Sequence, residues 1–120
     1  MTRTILIVDD SPTEMAVMTS SLKAEGFDVI TATNGDEALA RLERESPDAI
    51  VLDVIMPGKN GFQLCRQIRS DSRWAKLPIV MVTSKDQDSD RFWGMKQGAS
   101  DYITKPFDPS SLVAAVRRFV

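Results

Sequence analysis

ILIVDDSP, residues 5–12, sets four apolar side chains directly against two adjacent carboxylates, followed by a serine and a proline. A continuous apolar run such as Ile5-Leu6-Ile7-Val8 reads as a strand covered on both faces, because a strand with one wet face alternates. Asp9 and Asp10 then stand at the mouth of a buried strand, where a carboxylate needs positive charge or hydrogen-bond donors opposite it. Ser11 and Pro12 supply a helix N-cap and a proline at the first helical position, and Glu14 is spaced for a capping box with Ser11.

The same grammar recurs outward from this stretch. Short β-branched runs end in polar residues and give way to helical periodicity: TILIV (4–8), DVITA (28–32), AIVLD (49–53), PIVMVT (78–83) and SDYIT (100–104). Residues 5–8, 49–52 and 79–82 are almost continuously apolar. Asn34 to Glu37 and Asn60 to Gln63 repeat the N-cap-to-N3 spacing, and Asp108-Pro109 opens the last helix. Gly26 and Gly98 fall where the first and fourth helices should stop. Met15, Met18 and Leu22 form one inward stripe, and Leu112, Val116 and Phe119 another, both read as core. Strands alternating with helices predict an α/β fold with a parallel sheet wrapped on both faces, connected by right-handed crossovers. Ligands of such sheets bind beyond the carboxyl ends of the strands.

Composition narrows the function classes. The chain has 120 residues, enough for one domain with its own core, and no linker divides it, so residues 1–120 are expected to form a single unit. A formal net charge of -2 gives no basic footprint for nucleic acid. There is no histidine, so a zinc site is disfavoured and any chemistry must proceed without imidazole. The one cysteine, Cys65, leaves no intramolecular disulfide, which suits a reducing compartment. No apolar run is long enough to span a membrane, and no secretory leader is legible. The expected location is cytoplasmic.

The polar residues at the strand ends carry the chemistry. Asp9 and Asp10 follow the first run, Asp53 ends the third, Thr83 and Ser84 end the fourth, and Lys105-Pro106 follow the fifth. A doubly wound parallel sheet projects all of them from one edge. Three clustered carboxylates repel unless a cation compensates them. Lys105 offers one charge, and a divalent ion would offer more. Oxygen donors with room for water suit Mg²⁺ better than zinc or copper. Asp9 and Asp10 can share such an ion, directly or through water. Asp53 stands alone, the carboxylate best placed to act as nucleophile toward a phosphoryl group and form an acyl phosphate. Phosphoryl transfer needs positioning and cations more than acid–base chemistry, and a carboxylate is already deprotonated near neutral pH. Taken singly, each residue also has a plain structural reading: an N-cap for Asp10, turn chemistry for Asp53 and Thr83, a surface turn for Lys105-Pro106.

LIVDDSP, VLDVIMPGKNG, MVTSK and GASDYITKPF together resemble the signatures of the receiver domain of two-component response regulators, and nearly the whole chain resembles the single-domain, CheY-like members. The spacings from Asp53 to Thr83 (30) and from Asp53 to Lys105 (52) agree. The resemblance implies a flavodoxin-like, five-stranded parallel sheet of order 2-1-3-4-5 with five helices. It implies that Asp53 is the phosphoacceptor, and that Asp10, Asp53 and the backbone carbonyl of Ile55 bind Mg²⁺ directly, with Asp9 acting through water. Thr83 and Lys105 would contact the phosphoryl group, the Lys105–Pro106 bond would be cis, and Tyr102 would be the switch aromatic, turning inward as Thr83 moves. The implied partners are a histidine kinase as phosphodonor and a protein target at the fourth helix, fifth strand and fifth helix. No DNA-binding module follows residue 120, so any output is expected to run through protein partners or through competition for phosphate. A monomer is expected, with phosphorylation-dependent dimerisation as an option. DDSPTEM and DRFWGMKQGASDY narrow the resemblance toward regulators of twitching-motility, chemotaxis-like systems.

Some positions depart from the ordinary pattern. Ile55 is apolar where many relatives are polar, so it cannot orient a hydrolytic water, and slow loss of the phosphoryl group is expected. Phe92, Trp93 and Met95 lie on the fourth helix, and core packing is the simpler reading beside that of a partner anchor. Trp74 is read as a lid over the third and fourth elements. Two rival functions remain open at this point. A Mg²⁺-dependent phosphohydrolase with an aspartyl-phosphate intermediate would carry a second acid two residues after the nucleophile, where Ile55 stands. An interaction module that never takes phosphate would be expected to lose part of the acidic set. No turnover of external substrates is expected. A phosphate-binding P-loop is excluded, since PGKNG lacks its glycine spacing and the Ser/Thr after lysine.

Overall fold

The computed structural model describes residues 2–120; Met1, the first residue of the expected 1–120 unit, lies outside them. The elements run β1 (Thr4–Val8), α1 (Pro12–Ala24), β2 (Asp28–Ala32), α2 (Gly35–Glu45), β3 (Ala49–Leu52), α3 (Gly61–Arg69), a 3₁₀ turn (Ser72–Trp74), β4 (Ile79–Thr83), α4 (Asp88–Gln97), β5 (Asp101–Thr104) and α5 (Pro109–Phe119). All strand pairings are parallel, and the order is β2-β1-β3-β4-β5. The expected strand bounds hold to within one residue.

The pleat sorts the strand residues onto two cores. Ile5, Ile7, Val51, Val80 and Val82 face α1 and α5, where they meet Met18, Leu22, Leu112 and Val116. Leu6, Val8, Ile50, Leu52 and Met81 face the other layer and meet Leu42, Leu64 and Ile68. Residues two apart share a face, so one apolar run feeds both cores. This double burial is why the three central runs show no alternation. Met15 is only partly buried but packs against the first core, as the α1 stripe requires. The α5 stripe is corrected at its end: Phe119 is exposed, and Val113 and Ala115 are the further buried residues of that helix. The inward stripe runs through Leu112, Val113, Val116 and Val120, so Phe119 lies off it, and the Arg118 guanidinium lies over its ring.

Helix starts follow the expected N-cap positions, but of the boxes expected there only that of α3 closes reciprocally, and the Asp108 side chain makes no capping hydrogen bond at α5. Asn60 and Gln63 form the full reciprocal box at α3, with both hydrogen bonds at 2.9 Å. Asn34 accepts from the Glu37 N–H at 2.8 Å, while the Glu37 carboxylate turns to Thr33. Ser11 accepts from the Glu14 N–H at 3.3 Å, yet the Glu14 carboxylate does not return to Ser11, so the box expected there is half made. The Ser11 N–H already donates to Asp9 at 2.9 Å. Gly98 ends α4 at φ 109°, a left-handed conformation that glycine adopts without strain, and its carbonyl accepts from Arg69 Nε at 2.9 Å. Trp74 packs against the core cluster that includes Leu64, Ile68 and Ile79, with the Arg73 guanidinium 4.4 Å from its ring.

The α4 aromatics are the larger correction. Phe92 and Trp93 are 63% and 51% exposed, and Met95 is also exposed, so they are not core. The residue that α4 turns inward is Gly94, whose missing side chain lets the helix lie against Tyr102 and Met81. A helix seated on a glycine directs its large residues outward.

Candidate functional site

The backbone ladder runs one step past each strand and fixes the acids. Asp9 N–H donates to the Ala32 carbonyl at 3.1 Å, and Asp53 N–H to the Val8 carbonyl at 3.0 Å. Lys105 N–H donates to the Thr83 carbonyl at 2.8 Å, which carries β5's exit to the same edge. The Lys105–Pro106 peptide bond is cis, as the resemblance implies. Gly61 completes the scaffold. Its N–H donates to the Val54 carbonyl at 2.9 Å, and a Cβ there would sit 2.3 Å from the Asp53 carbonyl oxygen. Only glycine permits α3 to start this close to the backbone that carries Asp53. Sequence gives no signal for this role of Gly61: Gly35 also follows an N-cap asparagine, and a Cβ there would meet nothing closer than 3.4 Å.

Three chain segments meet in the side chains. The Lys105 ammonium lies 3.0 Å from an Asp9 oxygen, 3.2 Å from an Asp53 oxygen and 2.5 Å from a Glu14 oxygen. Carboxylate oxygens of Asp9, Asp10 and Asp53 all lie within 4.8 Å of one another. Asp9 and Asp53 are buried, and Asp10 is exposed. Each buried acid has both oxygens engaged. Asp9 accepts from the Ser11 N–H and from Lys105, and Asp53 accepts from the Ile55 N–H (3.2 Å) and from Lys105. Among the described residues, the Asp10 carboxylate takes no hydrogen bond or ion pair.

Burial governs the electrostatics. Desolvation raises the Asp53 carboxyl above its ordinary value, Lys105 and the Ile55 N–H oppose that, and Asp9 adds to it. Burial alone would lower the Lys105 ammonium. The hydrogen bonds to Glu14 and Asp9, with the charges of Asp53 and Asp9, outweigh burial and hold it above the usual lysine range. Lys105 is therefore a fixed cation at neutral pH. Four carboxylates around one ammonium leave a net negative pocket of oxygen donors. That donor set fits a hard divalent ion such as Mg²⁺ and gives no soft ligand for a thiophilic metal.

The remaining expected residues form a second group. Thr83 is fully buried at the end of β4, and its hydroxyl accepts from the Lys85 N–H at 3.3 Å. Tyr102, on the edge strand β5, is buried, and its hydroxyl donates to the Lys85 carbonyl at 2.7 Å, so it already lies inward here, where the resemblance implies that it turns inward only as Thr83 moves. Burial, reinforced by Asp90, pushes the Tyr102 phenol up to about 12, so it remains a proton donor. Thr83 and Tyr102 thus grip the two sides of one residue, Lys85. Among the described residues, the Thr83 hydroxyl makes no hydrogen bond to Asp53 or Lys105. Ile55 is 53% exposed beside the acids. The residue that sequence reading placed in another role is Glu14. A capping box and an ion pair ask for the same acidic residue, and only the position of Lys105 in space tells them apart.

This arrangement has counterparts in known proteins. Protein PilH of Pseudomonas aeruginosa is 46% identical over 112 residues, covering 93% of this chain and 93% of that one. The alkaline phosphatase synthesis transcriptional regulatory protein PhoP of Bacillus subtilis is 43% identical over 117 residues, 98% of this chain and 48% of that protein. The chemotaxis response regulator CheY4 of Vibrio cholerae superposes with a TM-score of 0.93 at 32% identity, with both chains fully covered. The response regulator receiver domain family matches residues 5–117. With the strand order, the acidic edge and the family match in agreement, the chain belongs to the receiver domains of two-component response regulators.

Proposed function

We propose that Asp53 is the phosphoacceptor of this receiver domain and that residues 1–120 act as one phosphorylation-controlled protein switch. The observation that carries this is the Lys105 ammonium held 3.2 Å from the Asp53 carboxylate, with Asp9 and Asp10 close by. Receiver domains take phosphoryl groups from histidine kinases. In the transfer, an Asp53 carboxylate oxygen forms a bond to phosphorus as the donor's phosphorus–nitrogen bond breaks, and the electron pair leaves with the nitrogen. The product is an acyl phosphate. A bound Mg²⁺ would supply charge neutralisation for the donor's phosphoryl oxygens. Asp10, Asp53 and the Ile55 carbonyl are the groups to hold it directly, with Asp9 through water. Lys105 adds a fixed positive charge on the Asp53 side, and the chain supplies the nucleophile without a general base.

The switch reading rests on Lys85. Should the Thr83 side chain rotate to bring its hydroxyl onto a phosphoryl oxygen, the oxygen would move away from the Lys85 N–H it now accepts from, and the segment that anchors Tyr102 would shift with it. Arg91 of α4 donates to the Tyr102 carbonyl at 2.8 Å, so α4 and β5 would respond together. Phe92, Trp93 and Met95 lie on this face, exposed, as anchors suited to a protein target. Among the described residues, no helix is long and apolar enough to cross a membrane. A cytoplasmic location and a monomer before phosphorylation are part of this proposal and fit the receiver family. Its likeness to PilH supports a place in a chemotaxis-like system that governs twitching motility.

The test is incubation with MgCl₂ and acetyl phosphate, read by intact mass and by the fluorescence of Trp74 and Trp93. Wild type gains one phosphoryl group and changes fluorescence, while Asp53→Ala does neither. A phosphohydrolase would instead release phosphate catalytically from small esters. Wild type unmodified by acetyl phosphate and silent toward beryllofluoride would overturn the reading.

A further inference from the structure

Glu14 sits at the third position of α1, and its carboxylate is the nearest partner of Lys105, at 2.5 Å against 3.0 Å for Asp9 and 3.2 Å for Asp53. An ammonium has three N–H donors. All three are committed, one to each acid, so none is free for a phosphoryl oxygen. One acid must let go when a phosphoryl group arrives. Asp9 and Asp53 are poor candidates, because their side chains are buried and would lose their one charged partner, keeping only a backbone N–H each. The Glu14 side chain is 45% exposed, and water can solvate its carboxylate at once. Its helix position does not depend on that bond either, since the Glu14 backbone N–H is held by Ser11.

We propose that Glu14 is a positioning residue that acts through Lys105: it parks the ammonium at the outer side of the pocket in the resting protein and yields it to the phosphoryl group. The proposal rests on Asp53 as phosphoacceptor. It has two consequences of opposite sign. By sharing the ammonium, Glu14 leaves Asp9 and Asp53 more negative, which favours Mg²⁺. By competing with the phosphoryl group for the same ammonium, it disfavours the phosphorylated state.

The experiment compares wild type with Glu14→Gln. Mg²⁺ affinity is measured by calorimetry with MgCl₂ alone, and beryllofluoride affinity by tryptophan fluorescence at saturating Mg²⁺. From the strength of a half-exposed ion pair, Glu14→Gln should weaken Mg²⁺ and tighten beryllofluoride, each about two- to fivefold. A purely structural role would weaken both. In a Lys105→Ala background the effect of Glu14→Gln on Mg²⁺ should disappear, because no ammonium remains to be shared. Equal or weaker beryllofluoride binding by Glu14→Gln overturns the proposal, and so does an undiminished Mg²⁺ effect in the Lys105→Ala background. Wild type that binds no beryllofluoride overturns the phosphoacceptor reading itself, whereas wild type that binds it without a gain in Glu14→Gln removes only the role given to Glu14.

Discussion

Burial raises the proton affinity of the Asp53 carboxyl more than the Lys105 ammonium and the Ile55 N–H lower it, with Asp9 adding repulsion. A raised folded-state value has a definite sign in stability. Relative to the unfolded chain, the protonated carboxyl stabilises the fold at acid pH, and that contribution is lost as pH rises through the raised value. The ionised carboxylate is thus a strain on the metal-free protein at neutral pH. In metal-free buffer, Asp53→Asn should therefore be more stable than wild type at pH 7, by roughly 4 °C in thermal midpoint for each ~1 kcal/mol relieved. The difference should shrink as pH falls into the range where Asp53 takes up its proton. A thermal scan from acid to neutral pH checks this, and a stability loss in Asp53→Asn at pH 7 would contradict it. Ile55 presents an exposed hydrocarbon beside the same acids, with no group to hold a water in line for attack. Ile55→Asn supplies such a group and should speed loss of the phosphoryl group about tenfold, measured by the decay of phosphoprotein mass after the donor is removed. The acids and Lys105 were legible as a set and not singly, because each follows an apolar run and the ends of parallel strands share an edge. The true partner of Glu14 was not legible. Its choice depends on Asp9 having already taken the Ser11 N–H and on Lys105, 91 residues away, arriving alongside.

At the scale of elements, the seam between α4 and β5 has little slack. A Cβ on Gly94 would lie 2.9 Å from Tyr102 Cδ2 and 3.0 Å from Met81 Sδ, closer than side-chain carbons settle. Gly94→Ala gains helix propensity on α4 but overpacks this seam. Overpacking costs about 1–3 kcal/mol, against about 1 kcal/mol of propensity gained. The expected result is net destabilisation in urea unfolding, together with a changed Trp93 emission as α4 is pushed off Tyr102. A more stable Gly94→Ala with unchanged emission would show that the seam has room. The strands were legible because three of them are buried on both faces and carry no alternation to misread. The face of α4 was not. Its ten residues include one glycine and three large apolar side chains, and apolar content alone assigned the large ones to the core. Contact through a glycine reverses that assignment. Phe119 was misassigned for a related reason: both Phe119 and Val120 fit the spacing from Val116, and the helix turns Val120 to the core.

For the whole molecule, a parallel sheet with α1 and α5 on one face and α2 and α3 packed on the other brings Asp9, Asp10, Asp53 and Lys105 together at one edge. The same sheet leads from that edge, through Thr83, Lys85 and Tyr102, to the exposed aromatics of α4. One end gathers the acids and the ammonium and the other carries exposed aromatics, so under the proposed function a group added at the first would be felt at the second. All of this requires that the added group be carried by residue 53 and no other acid of the cluster. An acyl phosphate on aspartate is reduced by borohydride to homoserine, so the modified position can be read from peptide masses. After treatment with MgCl₂ and acetyl phosphate, then borohydride, the peptide that contains residue 53 should carry homoserine there, with Asp9 and Asp10 intact; homoserine at Asp9 or Asp10, or at no position, would contradict the account.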